Sequence, residues 1–284
     1  METMSLLEVL QGAALFLGKQ EVESPRLNAE HLLAHVLGVK RLELYLQFDR
    51  QLGETERAPL RDLVRKRATG VPLQHLLGTV EFCGRVFKSD SRALIPRPET
   101  EQLVERALSY TLFSQPSATM LDVATGSGII PLSLALERPE SRITATDISP
   151  EALSLAKENA ILLSVTSVQF LETDLLPPVS GKDDCFDLIT ANLPYIPSAE
   201  IASLSREVQQ DPRLALDGGD QGLDLIFRLI PLAVKRLTPG GHLLLEIGKG
   251  QEQQVIECLQ SHNYRDITAL PDYQGVLRFV EAIH

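Results

Sequence analysis

The chain contains no tryptophan and only three cysteines, and each scarcity among its residues excludes something. Cys83, Cys185 and Cys258 are odd in number and far apart, so neither a disulfide framework nor a paired metal-ligand spacing emerges. A reducing cytoplasm is the expected compartment. No stretch reaches the roughly 18 consecutive apolar residues of a membrane span. The start lacks a basic region ahead of an apolar one and carries Glu2 and Glu8 instead, so neither a membrane nor a secretory route is expected. Positive charge is also short: 27 Lys and Arg face 38 Asp and Glu, a net charge of -11. The imbalance is local. Residues 1–75 hold 10 of each sign, and residues 76–284 carry the whole deficit. An acidic half of that kind is a poor match for a DNA backbone.

What is present suits an ordinary globular protein: 44% hydrophobic and 23% charged residues in 284, enough for one large or two moderate domains. The first part reads as helical. Leu6, Leu7, Leu10, Ala14 and Leu17 recur at helical spacing. Ser24 and Pro25 form an expected N-cap and first turn, and Gly38 an expected stop. Further helices are expected near 40–48 and 54–68. Thr69-Gly70-Val71-Pro72 breaks the pattern. Residues 79–88 read as a hairpin with a Gly-containing turn. Pro96 and Pro98 stiffen the segment leading to a helix over 100–113.

From residue 119 strands and helices alternate. Strands are expected over 120–124, 142–147, 168–174, 187–190 and 242–247, with helices over 127–137, 150–163, 222–237 and 250–262. This order implies a parallel sheet covered by helices on both faces. Residues 265–270 and 276–283 suit an antiparallel hairpin at one edge. The expected domains are 1–72, helical; 73–98, a linker with the hairpin; and 99–284, α/β and Rossmann-like.

Two turns carry chemistry. Ala124-Thr125-Gly126-Ser127-Gly128 joins a strand to a helix, and its glycines allow a sharp turn and close approach of a ligand. Asp147 ends the next strand, 21 residues after Gly126, where a carboxylate accepts hydrogen bonds from ribose hydroxyls. Asp174 and Leu175 end the third strand, where an adenine ring would be bracketed. The G-x-G-x-x-G fingerprint fails because Pro131 takes its last place, and no G-K-[ST] element exists. A nucleoside cofactor without a pyrophosphate fits better, and S-adenosylmethionine is the obvious one. The second turn is Asn192-Leu193-Pro194-Tyr195, after an apolar strand. The Asn192 side-chain oxygen and the Leu193 carbonyl form a pair of acceptors for the two hydrogens of a planar –NH2 group, with Tyr195 packed against its face. Pro194 stiffens the backbone between them.

Over nearly its whole length the chain resembles the protein-(glutamine-N5) methyltransferases of peptide chain release factors (the PrmC/HemK family). The resemblance lies in residues 72–78 (Pro-Leu-Gln-His-Leu-Leu-Gly), 94–101 (Leu-Ile-Pro-Arg-Pro-Glu-Thr-Glu), 122–128 and 192–195, in 212–219 (Pro-Arg-Leu-Ala-Leu-Asp-Gly-Gly), and in Glu246-Ile247-Gly248. It implies a small helical bundle joined by a β-hairpin linker to a class I methyltransferase domain. The implied activity is methyl transfer from S-adenosylmethionine, leaving S-adenosylhomocysteine, to the glutamine amide of the Gly-Gly-Gln loop in class 1 release factors. The helical domain would help to bind the release factor. By motif, residues 124–128, Asp147, Leu175 and Asn192 would contact the cofactor, and residues 192–195 would hold the glutamine. The expected state is a monomer. The family usually has Pro where Leu193 stands and Gly where Ala124 stands. Those departures leave open a methyltransferase for another amino group, and a protein that binds the cofactor without turnover.

Other signals read as structural. His31 and His35 lie four apart on a helix but lack a third ligand and any H-E-x-x-H pattern, so no metal is expected. Arg57, Arg61 and Arg65 form an i, i+4 stripe that reads as a solvated face or a contact for an acidic partner or RNA. Arg97 and Glu99 are expected to order the segment over the cofactor.

Overall fold

The computed structural model describes residues 3–110, 117–178 and 185–284. The chain divides into two units. One runs to Thr79 and includes Ser205–Gln210; the other comprises Val80–Leu204 and Asp211–His284.

The first unit is built on helices α1 (Leu6–Lys19), α2 (Pro25–Leu37), α3 (Glu54–Ala68) and the short α4 (Leu73–Leu77). A two-residue bridge joins β1 (Met4–Ser5) to β2 (Gln51–Leu52). Ser5 and Glu8 make a reciprocal cap at the start of α1, each side chain taking the other's backbone N–H. Leu6, Leu10, Leu17, Leu32, Leu33 and Leu60 fill the core, and Leu73, Leu76 and Leu77 of α4 pack against it. That packing carries the unit past residue 72 to Thr79. Residues 41–46 form a 3-10 turn rather than an α-helix. Ser24 differs from its expected role. Its backbone is left-handed (φ 47°), so its hydroxyl makes no cap, and Asn28 Nδ2 instead donates to the Ser24 carbonyl at 3.2 Å. Pro25 and Gly38 occupy the expected first-turn and terminating positions. The buried Arg67 donates to Asn28 Oδ1 at 2.7 Å and pairs with Glu207, which ties Ser205–Gln210 into this unit. The Arg57/Arg61/Arg65 stripe is paired along its own helix, with Glu54 and Asp62.

A hairpin of β3 (Thr79–Phe82) and β4 (Arg85–Lys88) follows, turning through Cys83 (φ 47°) and Gly84 (φ 68°). Two central residues of positive φ are what a tight right-twisted hairpin requires. Helix α5 (Pro98–Ser109) then begins on Pro98; the expected continuation to 113 falls outside the described residues.

The sheet of the second unit runs β10 (Arg265–Pro271), β11 (Leu277–Ile283), β9 (Leu237–Glu246), β8 (Phe186–Asn192), β5 (Thr119–Val123), β6 (Arg142–Asp147), β7 (Val168–Glu172). The five strands from β9 to β7 are parallel; β11 and β10 close the other edge antiparallel. The period of two along each strand divides its residues between faces. Leu121, Val123, Ala191, Leu243 and Leu245 pack on one face with α8 (Asp224–Ala233) and α9 (Glu252–Ser261). Met120, Leu188, Leu244 and Phe279 pack on the other with α5 and α6 (Ile129–Glu137). Helix α7 (Pro150–Leu162) links β6 to β7. Strand order reverses between β5 and β8, and ligands of open α/β sheets sit at the carboxyl ends of strands at such a reversal. Among the described residues no helix is long and apolar enough to cross a membrane.

Gly128 starts α6 with φ 78°, and a Cβ there would stand 2.9 Å from Ala156 Cβ of α7. Its smallness therefore serves helix packing. Gly128→Ala is expected to lower the unfolding free energy by about 1–3 kcal/mol. Urea unfolding followed by circular dichroism reads this, and an unchanged midpoint would mean that α7 yields without strain.

Candidate functional site

The carboxyl ends of β5, β6, β7 and β8 open into a cavity of about 300 Å³. Its wall includes Ala124, Thr125, Gly126, Ser127, Asp147, Asp174, Leu175, Asn192, Leu193 and Pro194. Ten of the residues singled out from the sequence thus meet in one place. Gly128 and Tyr195 are not part of the wall. Gly128 is turned to α7, as above. The Tyr195 ring lies against Gly248 and close to Glu246, where burial pushes its hydroxyl up to about 12.

The glycine turn is pinned to β6 by backbone bonds. Thr125 N donates to Thr146 O at 2.9 Å, and Gly128 N to Thr125 O at 2.9 Å. Asp147 stands between two loops, with Gly126 N donating to Oδ2 (2.8 Å) and Ser149 N to Oδ1 (2.9 Å). Burial raises its pKa against the opposing backbone amides of Ser149, Gly126 and Ile148. A carboxylate has about four acceptor sites, so these two bonds leave capacity for ligand hydroxyls. Ala124 holds φ 56° and Leu175 φ 62°, both left-handed without being glycine. Leu175 is fixed there by Thr146 Oγ1, which donates to its carbonyl at 2.6 Å. Asp174 pairs with Arg228 of α8 at 2.6 Å, a partner that sequence spacing could not reveal.

Asp122, beneath the turn, is 1% exposed. Thr190 Oγ1 donates to its Oδ1 at 2.7 Å. Thr125 Oγ1 faces the same carboxylate, and both it and Asp122 Oδ2 are buried. Burial pushes the Asp122 carboxyl up to about 7, against the Thr125 and Thr190 hydroxyls. The spare acceptor capacity of the Asp147 carboxylate and the backbone of Gly126, both in the cavity wall, suit a polar ligand that is rich in hydroxyl or amino groups. That is the chemistry of a ribose and of an amino acid, so the donor set fits S-adenosylmethionine.

Asn192 is the last residue of β8 and pairs in register with Glu246 of β9. Its Nδ2 donates to Thr100 Oγ1 at 3.2 Å, and Thr100 Oγ1 donates to Glu246 Oε2 at 2.9 Å. The turn is braced from behind. Gln251 Nε2 donates to the Tyr195 carbonyl at 2.9 Å, Ile196 N to Leu216 O, and Gly218 N to Ile196 O. A Cβ on Gly222 would stand 2.1 Å from the Tyr195 carbonyl oxygen, and one on Gly218 2.6 Å from that of Pro194. The segments 212–219 and 246–248 therefore act by holding the Asn192 turn. Leu193 is 2% exposed, its side chain in the core below the cavity. Over the cavity, Asp211 accepts from Ile95 N (3.3 Å) and pairs with Arg97 (3.0 Å), which accounts for Arg97. Thr100, Glu246, Gln251 and Arg228 carried no sequence signal of their own roles, because each acts on a residue more than 50 positions away.

Two family models match the chain, a PrmC N-terminal domain over residues 8–78 and a methyltransferase domain over 114–266. A release factor glutamine methyltransferase of Deinococcus radiodurans is 42% identical over 279 residues, 98% of each chain. One of Geobacter sulfurreducens is 39% identical over 280 residues, 98% of this chain and 96% of its own. Among solved structures the hMettl16 catalytic domain, in complex with MAT2A 3'UTR hairpin 6, matches with a TM-score of 0.56 at 19% identity. It covers 78% of this chain and 81% of its own, and this likeness concerns the fold alone.

Two predictions follow from the strained and buried groups of the wall. Ala124→Gly is expected to stabilise the protein by about 0.5–1 kcal/mol, because glycine adopts positive φ freely; a loss of stability on urea unfolding would contradict this. Asp122 binds a proton more tightly folded than unfolded, so its contribution to stability is full below about pH 4 and falls as pH rises towards about 7. Asp122→Asn removes that slope, while Asp211 and Glu246 titrate in both proteins and cancel. The wild type should therefore lose stability relative to Asp122→Asn between about pH 4 and pH 8, by a few kcal/mol at most. A difference that is constant with pH would refute the assignment.

Proposed function

Because the chain belongs to the release factor glutamine methyltransferase family, we propose that it transfers a methyl group from S-adenosylmethionine to a glutamine side-chain amide of a class 1 peptide chain release factor, in its Gly-Gly-Gln loop. The observation that carries this reading is the meeting of Asn192 with the glycine turn and Asp147 in one cavity wall. The proposed place of action is the cytoplasm.

The cofactor, when bound, supplies a methyl group made electrophilic by a sulfonium. The residues that would hold it are 124–127, with Asp147 towards the ribose and Asp174 and Leu175 beside the adenine. An amide nitrogen is a poor nucleophile because its lone pair is delocalised into the carbonyl. The acceptors Asn192 Oδ1 and Leu193 O would take its two hydrogens, aim the nitrogen and stabilise the positive charge that grows on it. Both acceptors are held before the substrate arrives: Asn192 through Thr100, and Leu193 through its buried side chain and Pro194. Pro96, Pro212, Leu214 and Ala215 also line the cavity and would exclude water from the centre.

The direct test incubates the protein with methyl-labelled S-adenosylmethionine and a release factor, then locates the label by peptide mass spectrometry. Label on the Gly-Gly-Gln glutamine is expected; label elsewhere, or none, refutes the reading. Asn192→Ala should lower kcat by about 100-fold or more, the size typical of removing one charge-stabilising group, with little change in cofactor affinity. Asp147→Ala should weaken cofactor binding by about tenfold, the loss of one charge-assisted hydrogen bond. Isothermal titration with S-adenosylhomocysteine separates the two effects.

A further inference from the structure

Asn192 has a donor end and an acceptor end, and only the acceptor serves an –NH2 substrate. What decides which end faces the cavity is a buried chain of three side chains. Glu246 and Thr100 are each 2% exposed. Thr100 sits in the first turn of α5, between the ends of β8 and β9. A hydroxyl has a single hydrogen and a carboxylate only accepts. With Glu246 ionised, the Thr100 hydrogen is committed to Oε2, and Thr100 has only lone pairs left for Asn192. The amide must then present Nδ2 to Thr100 and turn Oδ1 away. A protonated Glu246 can donate instead. The Thr100 hydrogen is then free to point at Asn192, which draws Oδ1 inward and sends the donor end outward.

We propose that Glu246 is a positioning residue whose negative charge, relayed by the Thr100 hydroxyl, fixes Asn192 with its acceptor towards the substrate amide. This inference rests on the function proposed above. The charged groups around Glu246 are Arg278 of β11, itself 3.7 Å from Asp272, and Glu99 of α5; Tyr195 lies near, with Arg97 acting on Tyr195 in turn. Burial pushes the Glu246 carboxyl up to about 7, against Thr100, Arg278 and the Asn192 amide, and with Glu99 adding to the rise. Ionisation therefore occurs in the neutral range, so the competent orientation is gained as pH rises and lost as it falls.

The test measures kcat and KM for methyl transfer to a release factor from about pH 5.5 to 8.5, beside S-adenosylhomocysteine affinity and thermal unfolding. In the wild type kcat should rise through about pH 7. Glu246→Gln should lower kcat by about tenfold or more at the upper end, leave cofactor affinity nearly unchanged and remove the step, since Gln offers Thr100 both a donor and an acceptor. Thr100→Ser keeps the relay and should retain the pH step; Thr100→Val should lose it. Asp122 and Asp211 titrate in a similar range, so loss of the step in Glu246→Gln is what assigns it. Wild-type kcat and an unchanged step in Glu246→Gln would overturn the proposal. Should Glu246→Gln fail to fold, the two Thr100 variants decide. If the wild type methylates no release factor, the function reading falls. The relay is then judged by the Asn192 side-chain NH2 resonance, identified by its loss in Asn192→Ala. A shift with pH that vanishes in Thr100→Val supports the relay, and no shift rejects it.

Discussion

The backbone of the Asn192 turn is packed against another backbone with no room between them. Any side chain at residue 222 would overlap the Tyr195 carbonyl, and one at 218 would overlap that of Pro194. Two chain segments can approach so closely only where glycine stands on one of them. That approach lets Ile196 and Gly218 exchange backbone hydrogen bonds with their neighbours, and lets Gln251 reach the Tyr195 carbonyl. A turn at the end of a strand is ordinarily free to reorient. This one is held on its outer side by the 216–222 segment, on its strand side by β9, and beneath by the buried Leu193. The acceptor pair proposed for the substrate amide is thus prepared by contacts that lie outside the cavity.

Much of this was legible in the sequence, and the division is physical. Strands β6 and β8, the closing hairpin and the glycine turn follow from periods of two, from residues that tolerate positive φ and from apolar runs, all of which are local. Ser24 was misleading because its backbone is left-handed, a conformation that the residue type does not announce. The two glycines of the candidate cofactor turn look alike in sequence but differ in surroundings. Gly126 faces the cavity, whereas Gly128 clears Ala156, a residue of the following helix. The residue type of Tyr195 suggests a platform for a planar group; what the fold adds is that one edge of its ring lies by Gly248 and that its carbonyl is held by Gln251. Partners such as Thr100 with Asn192 become visible only when the sheet brings their strands together.

The two departures from the family pattern have different physical meanings. Ala124 takes φ 56°, so a residue with a Cβ bears a strain that glycine would not. Leu175, across the same cavity, bears a similar strain at φ 62°. Strained residues persist where surrounding contacts over-determine them, and both line the candidate site. Leu193 carries no such strain. Its side chain belongs to the core cluster that also holds Leu175 and Leu223, so the substitution exchanges proline's rigidity for burial and keeps the carbonyl assigned to the proposed clamp.

Burying Glu246 as an ion is unfavourable, and a glutamine there would be easier to bury and would still bond to Thr100. A neutral amide, however, offers Thr100 a donor at one end and an acceptor at the other. Thr100 would then be free to choose its own direction, and Asn192 with it. A carboxylate offers acceptors alone and therefore transmits one answer along the chain. A buried charge that gives little net stability can still fix one arrangement among several. At Glu246 the arrangement that it fixes is the direction of a single amide, and that direction separates an acceptor for an –NH2 group from a donor that would repel it.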